Sequence, residues 1–257
     1  MSRDCRHIIY GGGREMRRIL LGVLLTAGWA FGQEAKPQEK AAIPRMPDGK
    51  PNFQGFWNIP YTPNIALAKG EDTVPYTDVG REAFRNHDSK DDPTSLCYYP
   101  GVPRMMQSPY PVQILQTPEY LIFAFEYMSM WRVIPLDGRA RPARVEPTFM
   151  GNSVGHWEGD TIVVETIGLN DKTWLDTAGH QHSDQLRVIE RFTRTPTTIV
   201  MNYDIIDPVM YTKPWNLERP LTPLKAVFGL PELIEYSCNE NNRDVEHLIS
   251  TKPAAGR

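Results

Sequence analysis

Two histidines two residues apart, His180 and His182, lie in a polar loop with Asp176, Ser183 and Asp184, between stretches that alternate apolar and polar residues. Residues of these types support three readings. In the first, His182 shuttles a proton, Glu190 or Asp176 orients its ring, and Asn170 or Ser183 adds hydrogen bonds; imidazole suits this because its ordinary pKa is about 6.5. In the second, His180 and His182 hold a metal, since an HxH pair on a strand puts both rings on one face, with Asp176, Asp184 or Glu190 as the third ligand. Gly179 argues instead for a loop, and the third reading is two solvated loop histidines. Ser183 is a poor nucleophile, because it stands beside its would-be base in sequence and would point to the opposite face of a strand. No Walker loop, dinucleotide fingerprint or zinc-protease helix is present, so no cofactor is identified and a metal rests on the histidines alone.

The elements that must position these residues read as strands. Alternation and turn residues predict strands over Val112 to Gln116, Tyr120 to Tyr127, Met130 to Leu136, Gly155 to Trp157, Thr161 to Ile167, Gln185 to Thr193, Thr198 to Ile206, Lys213 to Leu221 and Leu233 to Cys238. Asp137-Gly138, Gly159-Asp160, Thr195-Pro196 and Asp207-Pro208 mark turns. No helical crossover intervenes, so the sheet is expected to be antiparallel and up-and-down, closed as a barrel or folded as a sandwich. Residues 51–110 read as an extended N-terminal arm with the first strand, containing one short helix over Thr77 to His87 with Thr77 as its cap; residues 111–250 form the barrel core.

Strand parity selects candidate ligand-binding residues. Taken as one alternation, Leu121, Phe123, Phe125, Tyr127, Trp131 and Val133 share an apolar face, and Glu126 and Arg132 share the other, where they could pair. Leu186, Val188 and Phe192 must face inward, which carries Glu190 inward too; a buried carboxylate needs a partner, and Arg132 is the first candidate. In a hollow barrel, Trp57, Phe123, Phe125, Trp131, Trp157 and Trp174 would line a cavity, with Glu126, Arg132, Asn170, His182 and Glu190 as its few polar groups.

Composition sets the outer limits. A net charge of −3 gives no basic footprint for nucleic acid, and 23 Pro with 19 Gly interrupt long helices. Met16-Arg17-Arg18 and the apolar run Ile19 to Phe31 read as a signal peptide ending near Gly32, with Met16 as the true start. That run is shorter than the roughly 20 residues a spanning helix needs, so contact with a membrane is expected only through the signal peptide. Residues 33–50 read as a flexible leader and 251–257 as a tail. Removing residues 1–32 leaves Cys97 and Cys238, which an oxidising periplasmic or extracellular compartment would join; the loop-entropy model gives such a bridge roughly 4 to 5 kcal/mol.

The segments Pro47-Asp48-Gly49-Lys50-Pro51 with Gly55-Phe56-Trp57, Cys97 to Arg104 (CYYPGVPR), Trp157 to Thr161 (WEGDT), His182-Ser183 with Glu190-Arg191, Tyr211 to Trp215 (YTKPW) and Cys238 to Asn242 (CNENN) resemble an uncharacterised family of exported bacterial proteins. Gly55-Phe56-Trp57 is also similar to the first strand of the calycins, or lipocalin-like barrels. That resemblance implies an up-and-down barrel with a cavity for a small apolar or aromatic molecule. The expected function is therefore exported small-ligand binding. An enzyme using His/carboxylate chemistry on a small lipophilic substrate is an alternative, as is a structural or interaction module of the cell envelope, which a filled barrel with exposed apolar patches would favour.

Overall fold

The computed structural model describes residues 41–226, except residue 68, and residues 231–238. The signal peptide, the first part of the leader and the tail lie outside the described residues. Nine strands form one sheet: β1 (Gly55–Asn58), β2 (Val112–Gln116), β3 (Tyr120–Phe125), β4 (Met130–Pro135), β5 (Asn152–Glu158), β6 (Thr161–Ile167), β7 (Arg187–Arg194), β8 (Ile199–Ile206) and β9 (Trp215–Pro223). The region predicted as a last strand, Leu233 to Cys238, pairs with none of them. The order is β4-β3-β2-β1-β9-β8-β7-β6-β5, and every hydrogen-bonded pair is antiparallel. The result is a mostly antiparallel, nearly closed barrel in which β1 and β9 are zipped together and the two sheet edges, β4 and β5, meet as a seam.

The seam follows from strand number. Nine strands joined by eight antiparallel ladders leave β4 and β5 running in the same direction. The contacts across the seam keep a parallel offset: Arg132 reaches Ser153, and the side chains of Ile134 and Leu136 lie against Gly155. Parallel neighbours need a long crossover, and the irregular segment from Leu136 to Gly151 supplies it.

The inward positions are filled. Ile114, Leu121, Phe123, Ile134, Ile162, Phe192 and Tyr203, from β2, β3, β4, β6, β7 and β8, are all buried, so the expected hollow interior is a packed core. Inward parity on β7 is as expected. On β3 and β4 it is not continuous: Phe125 pairs with Met130 across a four-residue turn in which Met128 (φ 61°) and Ser129 (φ 46°) are left-handed. Partners across an antiparallel pair share a face, so Phe123 brings Arg132 inward and Trp131 turns outward, 67% exposed. Trp131 therefore does not share the Leu121, Phe123 and Phe125 face, and Arg132 does.

The arm lies over the end of the barrel where β6 and β8 finish and β7 and β9 begin. Thr77 caps α1 (Asp78–Asn86) by accepting from Gly80 N at 3.0 Å, while its hydroxyl donates to Val209 O at 2.6 Å. Backbone bonds from Thr77 N to Met210 O (3.0 Å), Thr212 N to Pro75 O (2.7 Å) and Ala178 N to Pro63 O (2.9 Å) fasten the arm to the β8–β9 and β6–β7 connections. Order also begins earlier than Pro51. Residues 46–50 make a turn, Arg45 bonds bidentately to Asp160, and the Lys50 ammonium sits 5.0 Å over Trp157. Cys97 in the arm and Cys238 near the chain end are bridged, with Cα atoms 5.7 Å apart.

Candidate functional site

The loop from Gly168 to Leu186 folds back over the same barrel end. Leu175 N donates to His180 O at 2.7 Å, and Trp174 bridges Gln181. Gly179 allows the tight return: its φ is +94°, and a Cβ there would stand 2.3 Å from the His87 ring. Asp176 is buried beside His180 and accepts from Ile65 N (2.8 Å) and His180 N (3.2 Å). His180 Nδ1 lies 2.7 Å from Asp176 Oδ2, and its Nε2 lies 3.1 Å from Glu71 Oε1, which also accepts from the Tyr76 hydroxyl at 2.9 Å. Phe84 and Trp215 enclose this imidazole, with centroids 4.7 and 5.1 Å away. Burial and the neighbouring Glu71 carboxylate push the Tyr76 hydroxyl far up.

His182 occupies a different environment. Its Nδ1 donates to Ser183 O at 2.9 Å, which leaves Nε2 to accept from the Thr173 hydroxyl at 2.6 Å. Burial lowers its pKa. Its ring nitrogens are thus committed to Thr173 and Ser183, and Asp176 orients His180 instead, which corrects the expected His182–Asp176 and His182–Glu190 pairings. The HxH metal pair is corrected in the same way, because the two rings turn to separate partners. Among the described residues no group of three or more His, Cys, Asp or Glu could hold a metal ion. Ser183 serves a turn: its N–H and hydroxyl both donate to buried Asp207, at 2.6 and 2.9 Å.

Glu190 lies inside the barrel, as its parity requires, and pairs with Arg132. Arg132 Nη1 donates to Glu190 Oε1 at 2.9 Å and Nη2 to Oε2, while Nε reaches Ser153 Oγ at 3.1 Å and Nη2 reaches Thr166 Oγ1 at 2.8 Å. One guanidinium on β4 thereby ties β5, β6 and β7 together across the seam. Glu126 takes no part; it follows β3 and accepts from Ile234 N at 3.0 Å.

The aromatic candidates are scattered. Trp57 is core, its Nε1 donating to Phe53 O at 3.1 Å. Half-buried Trp157 packs on Phe53, and buried Trp174 meets the His87 ring edge-on at 5.6 Å. Asn170 shapes a turn, accepting from Lys172 N at 3.2 Å. Trp131 and Arg132 border a half-open depression of about 230 Å³ along the seam.

A second half-open pocket, walled by tyrosines, lies at the arm-covered end. Its volume is about 190 Å³, and Tyr61, Tyr110, Tyr127, Tyr236, Arg104 and Gln107 are prominent in its lining. Tyr110 and Tyr127 stack in parallel at 5.0 Å, and Tyr236 stands edge-on to both at 5.2 and 5.1 Å. Arg104 is buried and bidentate to Asp92, at 2.8 and 2.6 Å, with Thr94 Oγ1 at 3.1 Å. Gln107 is 2% exposed; its Nε2 donates to Leu175 O at 3.4 Å, and its Oε1 has no partner among the described residues. Burial raises the Tyr127 hydroxyl, and burial with Tyr127 and Tyr110 alongside takes Tyr236 up to about 12. Sequence reasoning missed this site because its walls come from the arm, the β3–β4 turn and the chain end. The available signal was a pair of polar residues, Arg104 and Gln107, flanking the buried Met105-Met106.

The class defined by these features is a nearly closed antiparallel β-barrel with a packed interior and a tyrosine-walled pocket at one end. No family model, curated protein or solved structure matches the chain.

Proposed function

We propose that the protein is an exported small-ligand binder whose ligand occupies the tyrosine-walled pocket at the barrel end, under the arm, rather than the barrel interior. The observation that carries this reading is the lining of that pocket, four tyrosine side chains around a buried Arg104 whose charge Asp92 pairs. The Cys97–Cys238 bridge supports an oxidising compartment and hence export. The test is calorimetric titration with single-ring aromatic compounds, beside a Tyr236→Ala variant that removes one wall of the pocket. Binding weakened in the variant supports the reading; equal binding in both removes it.

Two other readings each have one observation. The Glu71, His180 and Asp176 chain joins a part-exposed carboxylate to a buried one through an imidazole, as acid/base catalysis requires. It predicts that a ligand recovered after incubation is chemically changed, and that Glu71→Gln binds it unchanged. The outer face of β2 to β4 carries Leu115, Trp131 and Val133, which are 41%, 67% and 45% exposed. This suits an envelope interaction module and predicts a change in association state that Trp131→Ser abolishes.

A further inference from the structure

We infer that residues 245–249 of this chain, Val-Glu-His-Leu-Ile, dock as an extended segment on the depression along the seam and take up the free edge of β4. The seam leaves hydrogen-bonding capacity unused. β4 and β5 stand at the two ends of the strand order, and no backbone bond joins them among the described residues. In an antiparallel ladder the backbone groups of alternate residues turn to opposite sides. Leu136 N donates to Glu119 O beside β3, so Ile134 and Arg132, two and four residues back, turn to β3 as well. The N–H and C=O groups of Trp131 and Val133 therefore turn to the seam, and none of them has a partner among the described residues. An edge of this kind, with the Trp131 and Val133 side chains exposed, is a template for another strand. Side chains close the seam on its inner side, where Arg132 meets Ser153 and Leu136 meets Gly155, so an added segment lies on the outer side.

The chain itself is delivered to the mouth of this depression. Tyr236 O accepts from Ser129 Oγ at 2.9 Å, one residue before β4 begins at Met130. Cys238 is bridged to Cys97, and the next side chains of the arm, Tyr98 and Tyr99, pack on Phe149 with centroids 5.4 and 6.2 Å away. Phe149 precedes Met150, which borders the depression, and Asn152, where β5 begins. Residues 236–238 are thus held where both strands of the seam start, and the residues after Cys238 leave from that point. An extended chain gains about 3.3 Å per residue, so the stretch from Cys238 to Val245 spans about the length of β4. Val245 to Ile249 is the one stretch there that joins β-branched and apolar side chains; Asn239 to Asp244 are polar or charged, and Pro253 follows. Docking it removes Trp131 and Val133 from water. A segment tethered this closely competes at an effective concentration on the order of millimolar, which favours it over a second copy of the chain.

Residue-resolved amide hydrogen exchange on the full chain, disulfide intact, tests this, because β4 carries its own control: the Arg132 and Ile134 amides bond to β3 whatever lies on the seam. The expected result is that the Trp131 and Val133 amides exchange about tenfold or more slowly than unprotected amides. Val245→Asp with Ile249→Asp should abolish that slowing and leave Arg132 and Ile134 as they were. Trp131→Ser reads the contact from the other side and should speed exchange across residues 245–249. If the double variant also releases Arg132 and Ile134, its fold is lost and Trp131→Ser decides: faster exchange over 245–249 supports the docking, and no change overturns it. Trp131 and Val133 amides that exchange freely in the parent overturn the inference, as does slowing that a folded double variant keeps. Slowing that grows with protein concentration overturns it too and assigns the edge to a second copy.

Discussion

Arg132 and Glu190 show what a single buried pair can decide. Each is almost fully buried, at 4% and 1% exposure, and the cation also holds Ser153 and Thr166. Removing one member leaves an uncompensated charge in the core, so Arg132→Met alone is expected to cost about 3–5 kcal/mol in urea unfolding. Replacing both, as Arg132→Met with Glu190→Leu, should recover a large part of that loss; additive losses would show that the pair carries no such coupling. His182 gives a pH prediction. Its proton affinity is lower in the folded chain, so as pH falls below about 6.5 the unfolded chain takes up a proton that the folded one refuses. Its contribution is complete above that pH and is lost on acidification toward the depressed folded value. Unfolding midpoints measured at pH 8 and pH 5 should differ less in His182→Asn than in the parent. At this scale the sequence was legible where parity governs: the inward position of Glu190 followed from alternation, whereas Arg132 was reached as the cation a buried carboxylate needs, against the alternation that set it on the face opposite Phe123. The roles of His180 and His182 did not, because a non-repeating loop gives no rule for where each ring turns.

Elements were easier to read than their joints. Strand positions and the helix cap at Thr77 follow from alternation and from a side-chain oxygen placed to take Gly80 N. The β3–β4 turn was harder. Two left-handed non-glycine residues there reset the parity, and nothing in the types Met128 and Ser129 announces it. That reset exchanged the positions of Trp131 and Arg132. Helix α1 shows a related limit of local rules. Gly to Ala inside a helix ordinarily gains about 1 kcal/mol. At Gly80 the new Cβ would stand 2.2 Å from Met210 O, a backbone atom, so helix and β8–β9 turn must separate. Gly80→Ala should therefore lower the melting temperature; an increase would mean that this contact is looser than described.

For the molecule as a whole, the barrel was legible because turn signals recur at strand-length spacing, while its seam and its packed interior were not. Counting strands correctly requires the short Gly55–Asn58 strand as well as the eight longer ones, and only the total shows that one neighbouring pair must run parallel. That seam makes the connection between the two halves of the chain redundant. The crossover is exposed, with the Arg144 side chain 85% exposed, and it crosses no ladder. Trypsin cutting after Arg144 should then leave every strand pairing in place. Cys97 belongs to the fragment before the cut and Cys238 to the one after it. The nicked protein should migrate as a single species on a non-reducing gel and as two with reductant, and it should keep its far-ultraviolet circular dichroism until the bridge is reduced. Here the disulfide acts as a second covalent spine, so that a peptide bond broken at the barrel's open seam severs nothing the fold depends on.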